Sequence, residues 1–237
     1  TGEPNYEKAF ELFSMAAEKD SGDAMFYLGR MYDYGQGTMQ DYAQAFEWYK
    51  KAAEKGGVDA MHILGNMYYF GKGVTQDYER AIEWYQKAAE NGDADAMYKL
   101  GNMYYNGRGV TQDYARAIEW YKKAAEKGNA DAMYSLGKMY EWSKGITQDC
   151  ERAFEWYTKA AEKGDTDAMD DLARMYKYGR GVPRDYARAF EWYQKAAEKG
   201  SIWAMDNLAK MYKNGYGIAR DKQKAKEWKR KAEAARR

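Results

Sequence analysis

The stretch Asp59-Ala-Met-His-Ile-Leu-Gly-Asn-Met-Tyr-Tyr-Phe-Gly71 is followed by Lys72-Gly-Val-Thr-Gln76 and then by Asp77-Tyr-Glu-Arg-Ala-Ile-Glu-Trp-Tyr-Gln-Lys-Ala-Ala-Glu-Asn-Gly92. Apolar residues at Ala60, Met61, Leu64, Met67 and Tyr68 stand at i, i+3, i+4 and i+7, the signature of a one-sided helix. Gly71 stops that helix. Asp77 is a good N-cap for a second one over Tyr78–Glu90, and Gly92 closes it near the C′ position. In this second helix Tyr78, Ile82 and Tyr85 form one stripe, while Ala81, Ala88 and Ala89 allow backbones to approach closely. Glu83 and Lys87 have the favourable i, i+4 order. The same pair recurs as Glu47/Lys51, Glu119/Lys123, Glu155/Lys159, Glu191/Lys195 and Glu227/Lys231, which predicts solvated ion pairs on the outer face.

The unit is written over and over. Anchors aligned on the start of the second helix fall at Asn5, Asp41, Asp77, Asp113, Asp149, Asp185 and Asp221, a constant interval of 36 with no insertion or deletion. A fixed period in this range means a solenoid whose units bury their apolar faces on one another. The pattern Ala-Met-x-x-Leu-Gly-x-Met-Tyr-x-x-Gly-x-Gly-Val-x-x-Asp-Tyr-x-x-Ala-x-x-Trp-Tyr-x-Lys-Ala-Ala-x-x-Gly resembles the Sel-one-like repeat, a relative of the tetratricopeptide repeat with a longer loop inside the helix pair. Gly71-Lys-Gly73 and the Trp84-Tyr85-x-Lys-Ala-Ala block carry the match, and nearly the whole chain is covered. The resemblance implies an all-α, right-handed superhelical solenoid of stacked antiparallel helix pairs over 1–237. Its frame gives a lone N-terminal helix within 5–21 and six full units at 22–57, 58–93, 94–129, 130–165, 166–201 and 202–237, thirteen helices in all.

The ends read differently. In the last helix the stacking stripe becomes Lys222, Lys226 and Lys229, the polar outer face that a terminal cap requires. The first helix keeps Tyr6, Phe10 and Phe13, which predicts packing onto the first full unit and makes the N-terminus read as a cut edge. The chain starts at Thr1, consistent with a removed Met or a trimmed sequence, and it shows no signal peptide. Its two prolines, Pro4 and Pro183, stand outside the helical patterns. Net charge is +1, from 38 basic and 37 acidic residues. A general nucleic-acid binder needs a basic excess, so that class is set aside. One cysteine, Cys150, leaves no intramolecular disulfide. No apolar run reaches the ~20 residues that span a bilayer, so no transmembrane segment is expected. A bacterial cytoplasm, a periplasm or a secreted state all remain open.

Positions that differ between the units are the candidates for function. Two residues after the repeat leucine stand Arg30, Asn66, Asn102, Lys138, Arg174 and Lys210. Two before it stand Phe26, His62, Tyr98, Tyr134, Asp170 and Asp206. Five after it stand Asp33, Tyr69, Tyr105, Glu141, Lys177 and Lys213, with Tyr34, Phe70, Asn106, Trp142, Tyr178 and Asn214 beside them. Helical spacing places these columns along one face beside the Met/Leu stripe. In tetratricopeptide-like superhelices, the resemblance implies, this face lines the concave groove. The first column donates hydrogen bonds at every rung and suits carboxylates or main-chain carbonyls. Exposed Lys, Arg and Asn are also the commonest surface residues and need no ligand.

Breaks in the pattern carry their own expectations. Trp142-Ser143-Lys144-Gly145-Ile146 replaces Gly-x-Gly-Val, giving an altered loop or a Trp packed on its neighbour. Trp203 reads as a surface anchor or a plug beneath the cap. Cys150 replaces a stacking Tyr, so a buried, inert thiol is expected. Ser135-Leu-Gly-Lys138 fits the Ser-x-x-Lys of penicillin-binding proteins and β-lactamases without the companion motifs. Gly71-Lys-Gly73-Val-Thr75 lacks phosphate-loop spacing, and its glycines suit the positive φ of a turn. His62 is the sole histidine, and no Cys/His set has metal-ligand spacing, so no metal and no cofactor is expected. Asp170 and Asp206 fall one unit apart, roughly 10 Å at ordinary helix spacing, wide for shared acid–base work. The basic tail from Lys229 to Arg237 suits a solvated helix C-terminus.

These readings converge on a non-enzymatic scaffold or adaptor, expected as a monomer. Its partner is a protein or peptide, with acidic or C-terminal carboxylate groups as the natural guests. Arg30, Asn66, Asn102, Lys138, Arg174 and Lys210 would grip them, with His62, Tyr98, Tyr134, Tyr69, Tyr105 and Trp142 as anchors and no catalytic residue. Two alternatives stand beside this: an engineered or consensus-like repeat scaffold without a natural ligand, and a weak hydrolase of cell-wall or β-lactam substrates built on Ser135.

Overall fold

A computed structural model describes residues 5–236; Pro4 and Arg237, discussed above, lie outside them. Among the described residues there are thirteen α-helices and no strand. They are α1 (Tyr6–Glu18), α2 (Gly22–Tyr34), α3 (Tyr42–Glu54), α4 (Val58–Phe70), α5 (Tyr78–Glu90), α6 (Ala94–Asn106), α7 (Tyr114–Glu126), α8 (Ala130–Glu141), α9 (Cys150–Glu162), α10 (Thr166–Tyr178), α11 (Tyr186–Glu198), α12 (Ile202–Asn214) and α13 (Lys222–Ala235). The chain forms two compact units, Thr1–Trp120 and Tyr121–Arg237. Within the first, each helix from α1 to α6 packs on the next; within the second, each from α8 to α13 does the same. This succession of helix pairs is an α-solenoid.

Side-chain caps set the helix starts. Asp77 accepts from the N–H of Arg80 and Asp41 from those of Ala43 and Gln44, satisfying donors that a helix N-terminus otherwise leaves bare. At the other end Gly71 adopts φ +69°, the left-handed residue that closes α4. A glutamine in the linker then folds back: Gln76 Nε2 donates to the Tyr69 carbonyl at 2.8 Å, and Gln112 repeats this on Tyr105. The second loop glycine answers a tighter demand. A Cβ on Gly73 would stand 2.1 Å from the Tyr42 carbonyl oxygen of the preceding helix pair. The loop motif therefore supplies both the turn and the seat on which successive pairs stack.

The core is the stripe expected from the sequence. Ala60, Met61, Leu64, Met67 and Tyr68 are buried, with Ile82, Tyr85, Ala88 and Ala89 facing them. In α1, Phe10 meets Tyr32 edge-on at 5.5 Å and Phe13 stacks on Tyr27 at 4.9 Å. Lys222, Lys226 and Lys229 are exposed on α13.

Three expectations are corrected. Among the described residues, five of the recurring lysines show no ion pair with the glutamate one turn before them. Lys51, Lys87, Lys159, Lys195 and Lys231 instead lie over the rings of Trp48, Trp84, Trp156, Trp192 and Trp228, at 4.0–4.4 Å from the centroids. The i−3 indole gives the ammonium a broad electronegative face, against a carboxylate that keeps its own hydration. Trp142 is 56% exposed rather than buried against a neighbour. The loop it opens keeps its course, because Ser143 takes the left-handed conformation at φ +56° in place of the missing glycine and donates to the Ile146 carbonyl. Cys150 is half-buried, not enclosed, since it opens α9 where the stripe meets solvent. Trp203 is partly exposed and meets Tyr193 edge-on at 5.4 Å.

Candidate functional site

The repeat tyrosine of each second helix links the fixed core to the variable face. The Tyr85 ring crosses α4 at Gly65, where an added Cβ would come within 2.5 Å of it. The ring is buried, and burial raises the pKa of its hydroxyl. That hydroxyl emerges beside the variable columns and donates to Asn66 Oδ1 at 2.8 Å. Asn66 is thus tied on one side by the scaffold, while its NH2 group has no partner among the described residues. His62 is similarly held. Its Nδ1 lies 2.8 Å from Asp93 Oδ2, and since a carboxylate can only accept, the proton sits on Nδ1. Burial works against ionisation of Asp93, but this bond and the N–H groups of Ala96 and Asp95 outweigh it and hold its carboxyl below the usual range.

The rest of the first unit's face is aromatic and open. Tyr69 stands between Phe70 and Tyr78, with centroids at 4.8 and 5.3 Å, and the Arg108 guanidinium lies 5.4 Å above its ring. Tyr69, Phe70, Tyr85 and Met103 wall a cavity of about 220 Å³ whose polar rim is Lys99, Asn102 and Arg108. Tyr105 meets Tyr114 at 5.3 Å. Tyr98 is half-buried. Arg30 is exposed, with its guanidinium 5.9 Å over Tyr34.

The second unit fills the corresponding positions from within. Glu141 is 1% exposed. Arg174 grips both its oxygens at 2.8 and 2.7 Å, and Tyr157 donates to it at 2.9 Å. Arg174 also holds Asp171 at 2.9 Å, and Tyr134 donates to Asp171 at 3.2 Å. Burial disfavours the Glu141 charge, but Arg174, Tyr157 and Arg180 reverse this and lower its pKa. Arg174, read above as a donor for a guest, is therefore engaged inside the molecule. Lys177 donates to Asn207 Oδ1 at 3.0 Å. Asp170 accepts from Ser201 at 2.5 Å, yet burial and its neighbours Asp167 and Asp171 push its carboxyl up to about 6. Asp206, the other carboxylate considered for paired chemistry, is bound by Arg236. Lys138 lies 5.2 Å over the Tyr134 ring and makes no hydrogen bond to Ser135. Lys210 is exposed.

Phe70 stands in a column that varies between the units, but Lys99 and Arg108 are not among the candidate residues read from the sequence. Arg108 occupies the variable position between the two loop glycines, whose other occupants include Gln36, Lys72 and Arg180. Comparing that column would have exposed it. Among the described residues no group of three His, Cys, Asp or Glu side chains could hold a metal, and no helix is long and apolar enough to cross a membrane.

The Sel1 repeat model matches residues 1–21, 22–57, 58–93, 94–129, 130–165, 166–201 and 204–235. The structure resembles a protective antigen of uropathogenic Escherichia coli strains displaying an SLR fold, with TM-score 0.92 and 37% identity over 95% of this chain. The chain spans about half (48%) of that protein's length. A Sel1 repeat protein from Oxalobacter formigenes gives TM-score 0.81 and 36% identity over 96% of this chain and 91% of its own. Pseudomonas aeruginosa PilF, at 19% identity and TM-score 0.60 over 90% of each chain, shares the fold alone. No curated protein matches the sequence.

Proposed function

We propose, from the premise that this chain belongs to the Sel1 repeat family, that it is a non-enzymatic scaffold which binds a protein or peptide along the variable face of its first helices. Proteins of this family are generally interaction scaffolds. One observation carries the reading. The apolar positions that the repeat holds constant are buried, and in one column that it varies, six residues after the repeat leucine, large aromatic side chains reach solvent: Tyr34 is 61% exposed, Phe70 67%, Trp142 56% and Tyr178 61%. Aromatic side chains held on rigid helices are the usual anchors of protein contacts. Exposed cations in the neighbouring column, Arg30, Lys138 and Lys210, suit a partner carrying carboxylates. Such a partner would meet this chain as an adaptor in a bacterial cell or at its surface.

The test is a photo-crosslinking scan. Peptides selected from a random display library on the whole chain are mixed with variants carrying a photoreactive phenylalanine at Phe70 or Trp142, or at Glu83 or Glu191 on the opposite, second-helix face. Cross-links from positions 70 and 142 are expected. Selected peptides that cross-link only from 83 and 191, or a library that yields none, would overturn the reading.

A further inference from the structure

The cation between the loop glycines repeats along the chain, and so does what it faces. Lys72 stands 2.7 Å from Asp33 Oδ1, an ion contact, and Arg180 stands 3.6 Å from Glu141 Oε1. Asp33 and Glu141 occupy the same position, five residues after the repeat leucine of the preceding unit. Arg108 faces that position too, but there it finds Tyr69, with its guanidinium 5.4 Å over the ring. Among the described residues neither Arg108 nor Lys99 has an ion-pair partner. At these two sites the chain itself thus supplies the carboxylate. The site at Arg108 offers cations, an aromatic wall and a cavity of about 220 Å³. An enclosed apolar cavity of ~150 Å³ already holds a benzene ring.

We propose that this cavity is a docking subsite for an acidic peptide: one aromatic side chain enters against Phe70 and Tyr69, and an adjoining carboxylate takes, at Arg108 and Lys99, the place that Asp33 and Glu141 fill elsewhere. The proposal rests on the scaffold reading above and names its guest. Phe70 is two-thirds exposed, so it gains burial only when a partner arrives. Charge complementarity selects the acid, because an uncharged aromatic peptide would leave both cations unanswered. The loop and helix that carry Arg108 and Phe70 are fixed by Gly73-type seats and by Gln76 and Gln112, so the site is organised before the guest enters.

The decisive variant is Tyr69→Glu. It restores an internal carboxylate where Glu141 shows the fold accepts one and should neutralise Arg108; it also removes the Tyr69 side of the wall, so Arg108→Gln reads the charge by itself. A fluorescein-labelled peptide Gly-Ser-Gly-Glu-Asp-Phe with a free C-terminus is titrated against the whole chain by anisotropy. Its counterpart Gly-Ser-Gly-Gln-Asn-Phe-amide is the uncharged control. Tyr69→Glu and Arg108→Gln are each expected to weaken the acidic peptide at least tenfold, as is Phe70→Ala, and the control should bind at least tenfold more weakly than the acidic peptide. Arg108 is exposed on a loop, so its variant keeps the test valid if Tyr69→Glu melts early by circular dichroism. Equal affinities across these variants, equal affinity for the uncharged peptide, or no binding to the wild-type chain would each overturn the proposal. If display-selected peptides still cross-link from Phe70 and Trp142 in that event, the scaffold reading stands and only this guest falls.

Discussion

In the first unit Arg108 stands over the Tyr69 ring; in the second, Arg180 stands beside Glu141, and Glu141 is sealed by Arg174 and Tyr157. The helices and glycine seats around both correspond, and they differ at the cap: α4 ends on Gly71, α8 one residue earlier on Trp142. One position therefore decides whether a rung of this surface is open to a guest or occupied by the protein. With Tyr at 69, the repeat tyrosine Tyr85 spends its hydroxyl on Asn66 and the cations look outward. With Glu at 141, the equivalent Tyr157 donates to a buried carboxylate, which draws Arg174 inward and, through it, Asp171 and Tyr134. Intervals of one period thus carry distinct surfaces at constant fold, as expected where each repeat touches only its neighbours.

The largest break in this comparison is Glu141→Gln. Removing one partner of a buried ion pair costs about 3–5 kcal/mol; Asp171 still holds Arg174, so about 3 kcal/mol is expected. Tyr157 would keep an acceptor. Hydrogen exchange should localise the loss to α8, α9 and α10, because coupling in a repeat array is with the nearest neighbours. The pH dependence has a definite sign. The folded-state pKa of Glu141 is lowered, so its contribution is present above the ordinary glutamate range and fades as pH falls through it. The deficit of Glu141→Gln should therefore shrink below about pH 4. A variant as stable as the wild type at pH 7 would show that the network is decoration.

Helix limits were legible where a local chemical marker stands: Asp77 before α5 and Gly71 after α4. The buried stripe was legible from spacing alone. The network around Glu141 was not, since its decisive bond joins residues 33 positions apart, and a lone Glu on a variable helical face reads as solvated. The same limit explains the lysines. Glu83 and Trp84 both lie within reach of Lys87, and only the geometry shows that the ammonium takes the indole. The exposure of Cys150 was not legible because it opens α9, where a stripe residue leaves the core. Lys99 and Arg108 lay in columns that differ between units, so their significance comes from what stands opposite them.

A smaller effect separates Asp170 from the carboxylates around it. Its oxygen Oδ1 is buried without a partner, and burial, together with Asp167 and Asp171, raises its pKa to about 6. The folded state then binds a proton more tightly than the unfolded chain, so stability falls as pH rises from about 4 to 6. Asp170→Asn removes the penalty and leaves an oxygen to accept from Ser201. The full displacement corresponds to at most about 3 kcal/mol; solvent reaches this half-buried site, and about 1 kcal/mol is expected after screening. The variant should melt above the wild type at pH 8 and with it at pH 3.5. An advantage that persists at pH 3.5 would assign the effect to packing. His62 and Asp93 in the first unit make the contrast, a carboxylate at the same interface between pairs that is held below its usual range.

The smallest expected effect tests what the two units share. Lys87 over Trp84 and Lys195 over Trp192 have nearly the same geometry, at 4.1 and 4.0 Å, and both are remote from the variable columns. An exposed cation–π contact contributes about 0.5–1 kcal/mol. Lys→Gln at either site keeps the helix propensity of the position close to that of lysine, so the loss reads the contact itself. We expect both variants to lose about 0.5 kcal/mol and to leave peptide affinity unchanged. Equal losses would show that the scaffold is energetically uniform and that the contrast between Tyr69 and Glu141 belongs to the variable face alone. Unequal losses would mean that the network around Glu141 stiffens its whole unit, and part of the cost assigned to Glu141→Gln would then belong to the stacking of α9 to α11.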